Sequence, residues 1–278
     1  MDLHLITELL SPFMAPITPN IHSVSCGGMS RDKAPYDDLS THEPRLTGSE
    51  DRQEPATLSS ELLESISTYI DLLIRWNSRI NLTAIRDPEQ IVTRHFGESL
   101  FAARHLFPND QASRKPASGA TSHVAQGLKP GDPDHARETS AHYLLDIGSG
   151  AGFPALPIKI WAPEIHATLV ESNQKKTTFL REILRVLTLT NVNVVNSRAE
   201  DLPAATADTV TFRAVERFQS ILPIAIRLIR PGGRAALLVG ESQLQSAKTA
   251  SAIQWDDPIS IPQSSYRILL VGTIARVL

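Results

Sequence analysis

Cysteine is almost absent from this chain, since Cys26 is the single cysteine among 278 residues. One cysteine excludes an internal disulfide and a metal cluster built from several cysteines, and it is typical of a reducing compartment. Long apolar runs are also missing, so no membrane-spanning helix is predicted. The start, MDLHLITELLSPFMAP, lacks the basic residues of a secretory signal. We therefore expect a cytoplasmic protein.

A strong excess of positive charge is also missing. The chain has 27 basic and 30 acidic residues, which gives a formal net charge of −3. Proteins that coat nucleic acid by bulk attraction neutralise many phosphates and are usually basic. The charge balance therefore argues against that class, and any RNA partner has to be bound by a local basic face.

Two stretches are rich in proline, serine, glycine and isolated charges without an apolar period. Residues 1–56 form the first, and we predict a disordered N-terminal extension there. Residues 108–141 form the second, which is interpreted as a low-complexity insertion or linker. The folded part of the chain is therefore expected in residues 57–107 and 142–278.

Residues 57–107 have the pattern of two helices. Apolar residues at steps of three and four predict the first helix, capped by Thr57 or Ser59. Asp87 followed by Pro88 is typical of a second helix start, and this helix is expected to end near Leu106. The apolar stripe of the first helix consists of Leu62, Ile66, Tyr69, Leu73, Trp76 and Ile80.

Residues 142–278 alternate short apolar runs with helical patterns. The runs are YLLDI, HATLV, NVNVV, DTVTF, AALLV and YRILLV. Strands joined by helical crossovers form a mostly parallel sheet with helices on both faces. The sequence therefore predicts an α/β domain.

A glycine-dense turn follows the first predicted strand, in LLDIGSGAGFP from Leu144 to Pro154. Such a turn lets a ligand approach the backbone at the carboxyl end of a strand. Gly150, Gly152 and Ala155 satisfy the looser dinucleotide fingerprint, so NAD is one candidate. Asp146 begins the arrangement Asp-x-Gly-x-Gly-x-Gly, which resembles motif I of class I methyltransferases.

Glu171 ends the second strand, about 20 residues beyond the loop, where a carboxylate can accept hydrogen bonds from ribose hydroxyls. This acid is expected for NAD and for S-adenosylmethionine alike. Glu171 therefore supports the binding of a nucleoside without choosing which one.

Several further motifs stand in order along the chain. YIDLLIRWNSRINLTAIRDPEQIVTRHFGES runs from Tyr69 to Ser99, and the glycine loop ends in Phe153-Pro154. A helix from Lys175-Lys176 to Phe179-Leu180-Arg181 follows, then Arg198-Ala199-Glu200 and Phe212-Arg213-Ala214-Val215. Over about residues 57–107 and 142–278, these elements resemble the bacterial 16S ribosomal RNA guanine-N7 methyltransferases, also called the glucose-inhibited division protein B family.

The resemblance implies a class I, Rossmann-like methyltransferase with a mostly parallel seven-stranded sheet, preceded by an N-terminal helical cap at residues 57–107. It implies S-adenosylmethionine as the cofactor and 16S ribosomal RNA or the small ribosomal subunit as the partner, and we expect a monomer. Guanine N7 carries no proton, so no catalytic base is nominated and catalysis is expected to rest on positioning.

The expected site residues fall into two groups. By resemblance, the positions implied to contact the cofactor are Gly148, Phe153, Ala199, Glu200 and Arg213, and loop chemistry adds Gly150, Gly152 and Glu171. Arg213 has an RNA phosphate as an alternative partner. The candidates for a local basic RNA face are Arg75, Arg79, Arg86, Arg94 and His95. His95 is equally interpreted as a packed, hydrogen-bonded histidine.

Two positions depart from the family pattern. Val239, in Leu237-Leu238-Val239-Gly240, stands where the family usually has a lysine, which puts any RNA-binding role of that lysine in doubt. Glu98 stands where the family commonly has aspartate. These departures leave open a cofactor-binding protein that has lost catalysis, and the glycine spacing leaves open an NAD-linked oxidoreductase.

Overall fold

The computed structural model describes residues 1–17, 58–108, 141–213 and 217–276. The strands are β1 (Tyr143–Ile147), β2 (His166–Val170), β3 (Val192–Val195), β4 (Ala207–Arg213), β5 (Ile229–Gly240), β6 (Gln254–Trp255), β7 (Ile259–Ser260) and β8 (Arg267–Thr273). The helices are α1 (Leu3–Leu10), α2 (Ser60–Asn77), α3 (Pro88–Gln90), α4 (Glu98–Leu106), α5 (Ala155–Trp161), α6 (Gln174–Val186), α7 (Phe218–Leu228) and α8 (Leu244–Lys248). A π-helical turn, Ile91–Gly97, joins α3 to α4.

The sheet has the order β3-β2-β1-β4-β5-β8-β6, with β7 paired beside β8. The first five strands of this path are parallel, and β8 runs antiparallel to β5, β6 and β7. The predicted mostly parallel sheet is confirmed, with eight strands in place of seven because the two-residue β7 also pairs with β8. The strand order reverses between β1 and β4, which places a crevice at their carboxyl ends.

Each face of the sheet has its own apolar core. Leu144, Leu169 and Leu238 point to the face covered by α1, α2, α4, α5 and α6. Their neighbours along the strands, including Leu145 and Leu237, point to the face covered by α7 and α8. Successive strand residues alternate between faces, so the apolar runs are buried on both sides. The expectation of helices on both faces is confirmed.

The two predicted helices of residues 57–107 are present. Ser59 caps α2, since its hydroxyl accepts from the Leu62 amide at 3.3 Å, and Asp87 accepts from the Gln90 amide at 2.8 Å at the start of α3. The helical path from α3 through the π turn to α4 ends at Leu106. These helices belong to the same core as one sheet face, so the cap packs on the sheet.

The prediction of disorder over residues 1–56 is wrong for residues 1–17. Asp2 caps α1, and Ile6, Leu10 and Phe13 are at most 1% exposed. These three residues are spaced four and three apart, which is a helical stripe that the polar composition of the whole segment obscured. Arg104 fixes the end of this stretch by donating to the Phe13 carbonyl at 2.6 Å.

The rest of the two low-complexity predictions, at residues 18–56 and 109–140, lies outside the described residues. Within the described ranges, the helices are too short or too polar to cross a membrane.

Candidate functional site

The glycine loop curls over the carboxyl end of β2. Gly148 and Gly150 have φ angles of 66° and 55°, in the left-handed region that favours glycine. The amides of Gly148 and Ser149 both donate to the Val170 carbonyl, at 2.8 and 3.1 Å. A Cβ built on Gly148 would have no heavy atom within 4 Å. The loop backbone is therefore open to a ligand on this side.

Gly152 has a different environment from the first two glycines. A Cβ built there would overlap the Tyr69 hydroxyl and lie 2.6 Å from a Leu156 methyl carbon. The Tyr69 hydroxyl donates to the Ala151 carbonyl at 2.5 Å, and burial raises the pKa of Tyr69, so the phenol stays protonated. Gly152 therefore lets α2 of the cap pack directly on the loop.

Hydrogen bonds of Glu171 connect the segments that follow β1, β2 and β3. Its buried carboxylate accepts from the Gly150 amide at 2.9 Å and from the Asn173 amide at 2.8 Å. The Asn196 side chain, beyond β3, donates to the Glu171 carbonyl at 2.9 Å. A carboxylate oxygen has two acceptor positions, so each Glu171 oxygen can take one further hydrogen bond. Glu171 thus fits the predicted role of a ribose acceptor.

Asp146, at the end of β1, is completely buried below the loop. The Thr211 hydroxyl donates to its Oδ1 at 2.7 Å. Its Oδ2 has no hydrogen-bond partner within the described parts of the chain. Burial raises the pKa of Asp146 to about 7, and the nearby Glu171 carboxylate adds to this effect.

Ala199 and Glu200 lie in a 3₁₀ turn, Ala199–Asp201, after β3. Ala199 is buried and Glu200 is exposed. Arg227 holds the turn from α7, since its Nη2 donates to the carbonyls of Ala199 and Glu200 at 3.2 and 3.1 Å. The Asn196 contact places the segment that leads into this turn beside the end of β2.

Phe153 lies in an aromatic stack between loop and cap. Its ring is stacked on Tyr69 at 5.4 Å and on His95 at 4.7 Å, and it meets Phe96 edge-on at 5.1 Å. Only 8% of Phe153 is exposed. The main role that the structure gives this predicted cofactor contact is to join the loop to the cap.

His95 is a packed histidine, so its predicted alternative role as a direct RNA contact is not supported. Its Nδ1 accepts from Arg213 Nη2 at 3.0 Å, and its Nε2 lies 2.8 Å from the Thr83 hydroxyl. Arginine can only donate, so Nε2 carries the ring proton. Burial and then Arg213 lower the pKa of His95 to about 3. The neutral ring has both nitrogens engaged and 8% exposure.

Three arginines surround Glu98 at the carboxyl edge of the sheet. Glu98 oxygens lie 2.9 Å from Arg267, 3.5 Å from Arg94 and 3.6 Å from Arg213. Burial raises the pKa of Glu98, and the arginines lower it. Burial lowers the pKa of Arg213 to about 10, so it stays charged at neutral pH. Three guanidinium groups against one carboxylate leave a positive surplus.

Of the four arginines predicted for the RNA face, one lies in this cluster and three lie outside it. Arg94 joins it, with 46% of its side chain exposed. Arg75 is exposed near the end of α2, Arg79 just after it, and Arg86 just before α3. These three remain solvent-exposed candidates on the cap.

Arg267 belongs to the cluster, although the sequence interpretation did not include it. It pairs with Gly240 across the antiparallel β5–β8 ladder. When the last strand of such a sheet runs antiparallel, its amino end lies at the same edge as the carboxyl ends of the parallel strands. This rule could identify Arg267, at the start of β8, from the sequence. Val239 is 3% exposed in the core under α7 and α8, so the positive charge at this edge comes from arginines.

The comparison with protein families identifies one family. The model of the GidB family, described as rRNA small subunit methyltransferase G, matches residues 62–117 and 121–259. These ranges contain α2 from Leu62 onward, α3, α4, the glycine loop, Glu171 and the Glu98 cluster except Arg267.

Curated relatives carry the name Ribosomal RNA small subunit methyltransferase G. The protein of Xanthomonas oryzae pv. oryzae is 36% identical over 185 residues, which cover 66% of this chain and 72% of the relative. The protein of Roseiflexus castenholzii is 35% identical over 227 residues, covering 77% and 84%. Since the family model spans most of the chain and these alignments cover more than two thirds of each relative, this chain belongs to the rRNA small subunit methyltransferase G family.

Proposed function

We propose that this protein transfers a methyl group from S-adenosylmethionine to N7 of a specific guanine in 16S ribosomal RNA of the small subunit. The observation that carries the proposal is the family match over residues 62–117 and 121–259. The match includes both the glycine loop and the cap helices that pack on it. An enzyme of this kind needs a nucleoside site beside an RNA-binding surface, and the open glycine loop next to the cationic Glu98 cluster supports that arrangement.

The loop fits S-adenosylmethionine, which supplies an activated methyl group on sulfur when bound. Gly148 and Gly150 have no side chains on the open side of the loop, so the cofactor can approach their backbone. Glu171 is proposed to accept from the ribose hydroxyls. Ala199 and Glu200 are proposed to border the adenine ring, and Phe153 and Gly152 support the loop from the cap.

The hydrogen bonding of the loop disfavours a dinucleotide. A pyrophosphate is held by free backbone N–H groups at a glycine turn and a helix start. In this loop the amides of Gly148 and Ser149 donate to Val170, that of Gly150 to Glu171, and that of Gly152 to the Ser149 carbonyl at 2.6 Å. Four amides of the loop are already engaged within the protein, which supports a cofactor without a pyrophosphate.

The protein's part in the reaction is positioning. Guanine N7 has an in-plane lone pair and no proton, so its attack on the methyl group needs no base and does need alignment. Arg213 is held by Glu98 and His95 at the end of β4, and the Phe153 stack closes the adjacent wall. Arg213 is proposed to orient the cofactor carboxylate or an RNA phosphate, because its buried charge has a fixed direction.

RNA is proposed to bind along the cationic edge. Arg94 and Arg267 belong to the Glu98 cluster, and Arg75, Arg79 and Arg86 extend the charge over the cap. A net charge of −3 makes such a local face necessary. The monomeric state and the cytoplasmic location stay predictions of the sequence.

Calorimetry with S-adenosylhomocysteine and with NAD tests the cofactor. We expect the purified protein to bind S-adenosylhomocysteine and to give no heat with NAD, because the loop amides are engaged. Binding of NAD without binding of S-adenosylhomocysteine would contradict the proposed function.

A further inference from the structure

A second feature lies at the same sheet edge, beyond the glycine loop. A cleft of about 520 Å³ opens between the carboxyl end of β5 and the amino end of β8. Its lining combines cationic, amide, hydroxyl and aromatic groups with the apolar side chains of Leu238 and Val239. The residues that matter here are Arg94, Gln243, Gln263, Ser264, Tyr266 and Arg267.

Tyr266 is an exposed aromatic ring on a fixed backbone. It is 76% exposed, and Ile74, at 40%, is the other large hydrophobic residue exposed in the described ranges. The Tyr266 carbonyl accepts from the Glu241 amide at 2.9 Å, and the next residue begins the β8 ladder opposite Gly240. The ring face is thus available to a partner at little cost in backbone ordering.

Cationic groups lie within the same cleft. Arg94 and Arg267 have 46% and 18% of their side chains exposed, and they share the single carboxylate of Glu98 with Arg213. The cleft therefore carries surplus positive charge and guanidinium donors, which are suited to a phosphate.

The cleft also contains amide side chains, of which Gln243 is held in place by a hydrogen bond. Gln243 Oε1 accepts from the Gly240 amide at 3.1 Å, which orients the side chain and leaves its NH₂ group as a donor. Amides recognise base edges, aromatic rings stack on bases, and arginines bind phosphates. All three occur in this cleft, which adjoins the Glu98 cluster.

We propose that this cleft binds one unpaired nucleotide of the substrate RNA, directly next to the guanine that is methylated. The base stacks on the Tyr266 ring, and its phosphate binds Arg94. This inference rests on the proposed function, and it adds a flanking-nucleotide site to it. Recognition of an unstacked neighbour is the usual way in which proteins read single-stranded RNA loops.

The test uses short single-stranded RNAs with one guanine and the fluorescent base 2-aminopurine on its 5′ or its 3′ side. Stacking on an aromatic ring quenches 2-aminopurine. With the full-length protein, we expect quenching for one of the two RNAs. Tyr266→Ala should remove the quenching and weaken RNA binding about tenfold, whereas Tyr266→Phe should retain both. Ile74→Ala, which removes the other exposed apolar side chain, is the matched control and should change neither.

S-adenosylhomocysteine affinity separates this inference from the proposed function. It should be unchanged in Tyr266→Ala, which also shows that the variant is folded. If the wild-type protein binds S-adenosylhomocysteine and methylates RNA, but Tyr266→Ala binds RNA as tightly and quenches as strongly as the wild type, the nucleotide site is wrong. If Tyr266→Ala binds naked RNA normally and intact small subunits weakly, the ring contacts a ribosomal protein, which also overturns the inference. Failure of the wild type to bind S-adenosylhomocysteine or to transfer methyl would instead contradict the proposed function.

Discussion

At the scale of single residues, the loop depends on two carboxyl groups with opposite environments. Glu171 accepts from two backbone amides at the carboxyl edge of the sheet. Asp146 lies below it, with one oxygen bonded to Thr211 and the other without a hydrogen bond in the described ranges. The first is suited to accept further hydrogen bonds from a ligand, and the second is suited to hold a proton.

We expect Glu171→Ala to weaken the binding of S-adenosylhomocysteine by about 1–3 kcal/mol, the usual range for stranding buried hydrogen-bond partners. The change removes the proposed ribose acceptor and the acceptor of the Gly150 amide. Calorimetry measures the affinity. Glu164→Ala removes an exposed acid after α5 and serves as the control. An unchanged affinity in folded Glu171→Ala would remove this residue from the cofactor site.

Asp146 should make stability fall as pH rises. Its pKa of about 7 in the folded protein is above the value of about 3.9 in an unfolded chain. The folded state therefore binds the proton more tightly, and this contribution is complete below about pH 4 and lost as pH rises through about 7. Asp146→Asn keeps the acceptor for Thr211 without the titration. Urea unfolding should show that the free energy of unfolding of Asp146→Asn, relative to that of the wild type, increases as pH rises from 5 to 8. A difference that stays constant over this range would contradict the raised pKa of Asp146.

Local residues of the site were predictable, and those fixed by distant contacts were not. The glycine turn and Glu171 follow from one βαβ unit, so their spacing alone predicts a nucleoside site. His95 and Glu98 also have partners on β4 and β8, Arg213 and Arg267, which are more than 100 residues away in sequence. A single sequence contains no signal for such pairs until the strand order is known.

At the scale of elements, the unexpected feature is the π-helical turn Ile91–Gly97 packed against the N-terminal stretch. The sequence predicts one helix from Asp87 to about Leu106, and the hydrophobic period does not distinguish α from π geometry over a single turn. The π turn contains Arg94 and His95, and Glu98 follows it directly. It therefore sets the direction in which the Glu98 cluster points.

A double-mutant cycle between Phe13, which lies just after α1, and the π turn tests this packing. A Cβ built on Gly97 would lie 2.5 Å from a Phe13 ring carbon. We expect Gly97→Ala to destabilise by about 1–3 kcal/mol through overpacking, and Phe13→Ala by about 3–5 kcal/mol through a cavity. In the Phe13→Ala background, Gly97→Ala should cost much less, because the clash is gone. Additive free energies of unfolding would show that the two residues do not pack together.

At the scale of the whole molecule, the cap and one face of the sheet share a single apolar core beside the glycine loop. The helices of residues 57–107, predicted as a separate segment, share their core with one sheet face. Tyr69 and Phe153 link the cap to the loop, and Glu98 links it to Arg213 at the end of β4 and Arg267 at the start of β8. Cofactor and RNA are thus expected to meet at a single edge, where the order of the strands reverses.

The most direct test is methyl transfer from labelled S-adenosylmethionine to small ribosomal subunits that lack the modification, with nucleoside analysis of the 16S RNA. We predict label in 7-methylguanosine. Tight binding of S-adenosylhomocysteine without transfer to subunits or naked RNA would favour a family member that has lost catalysis, and label in a different nucleoside would contradict the guanine-N7 target.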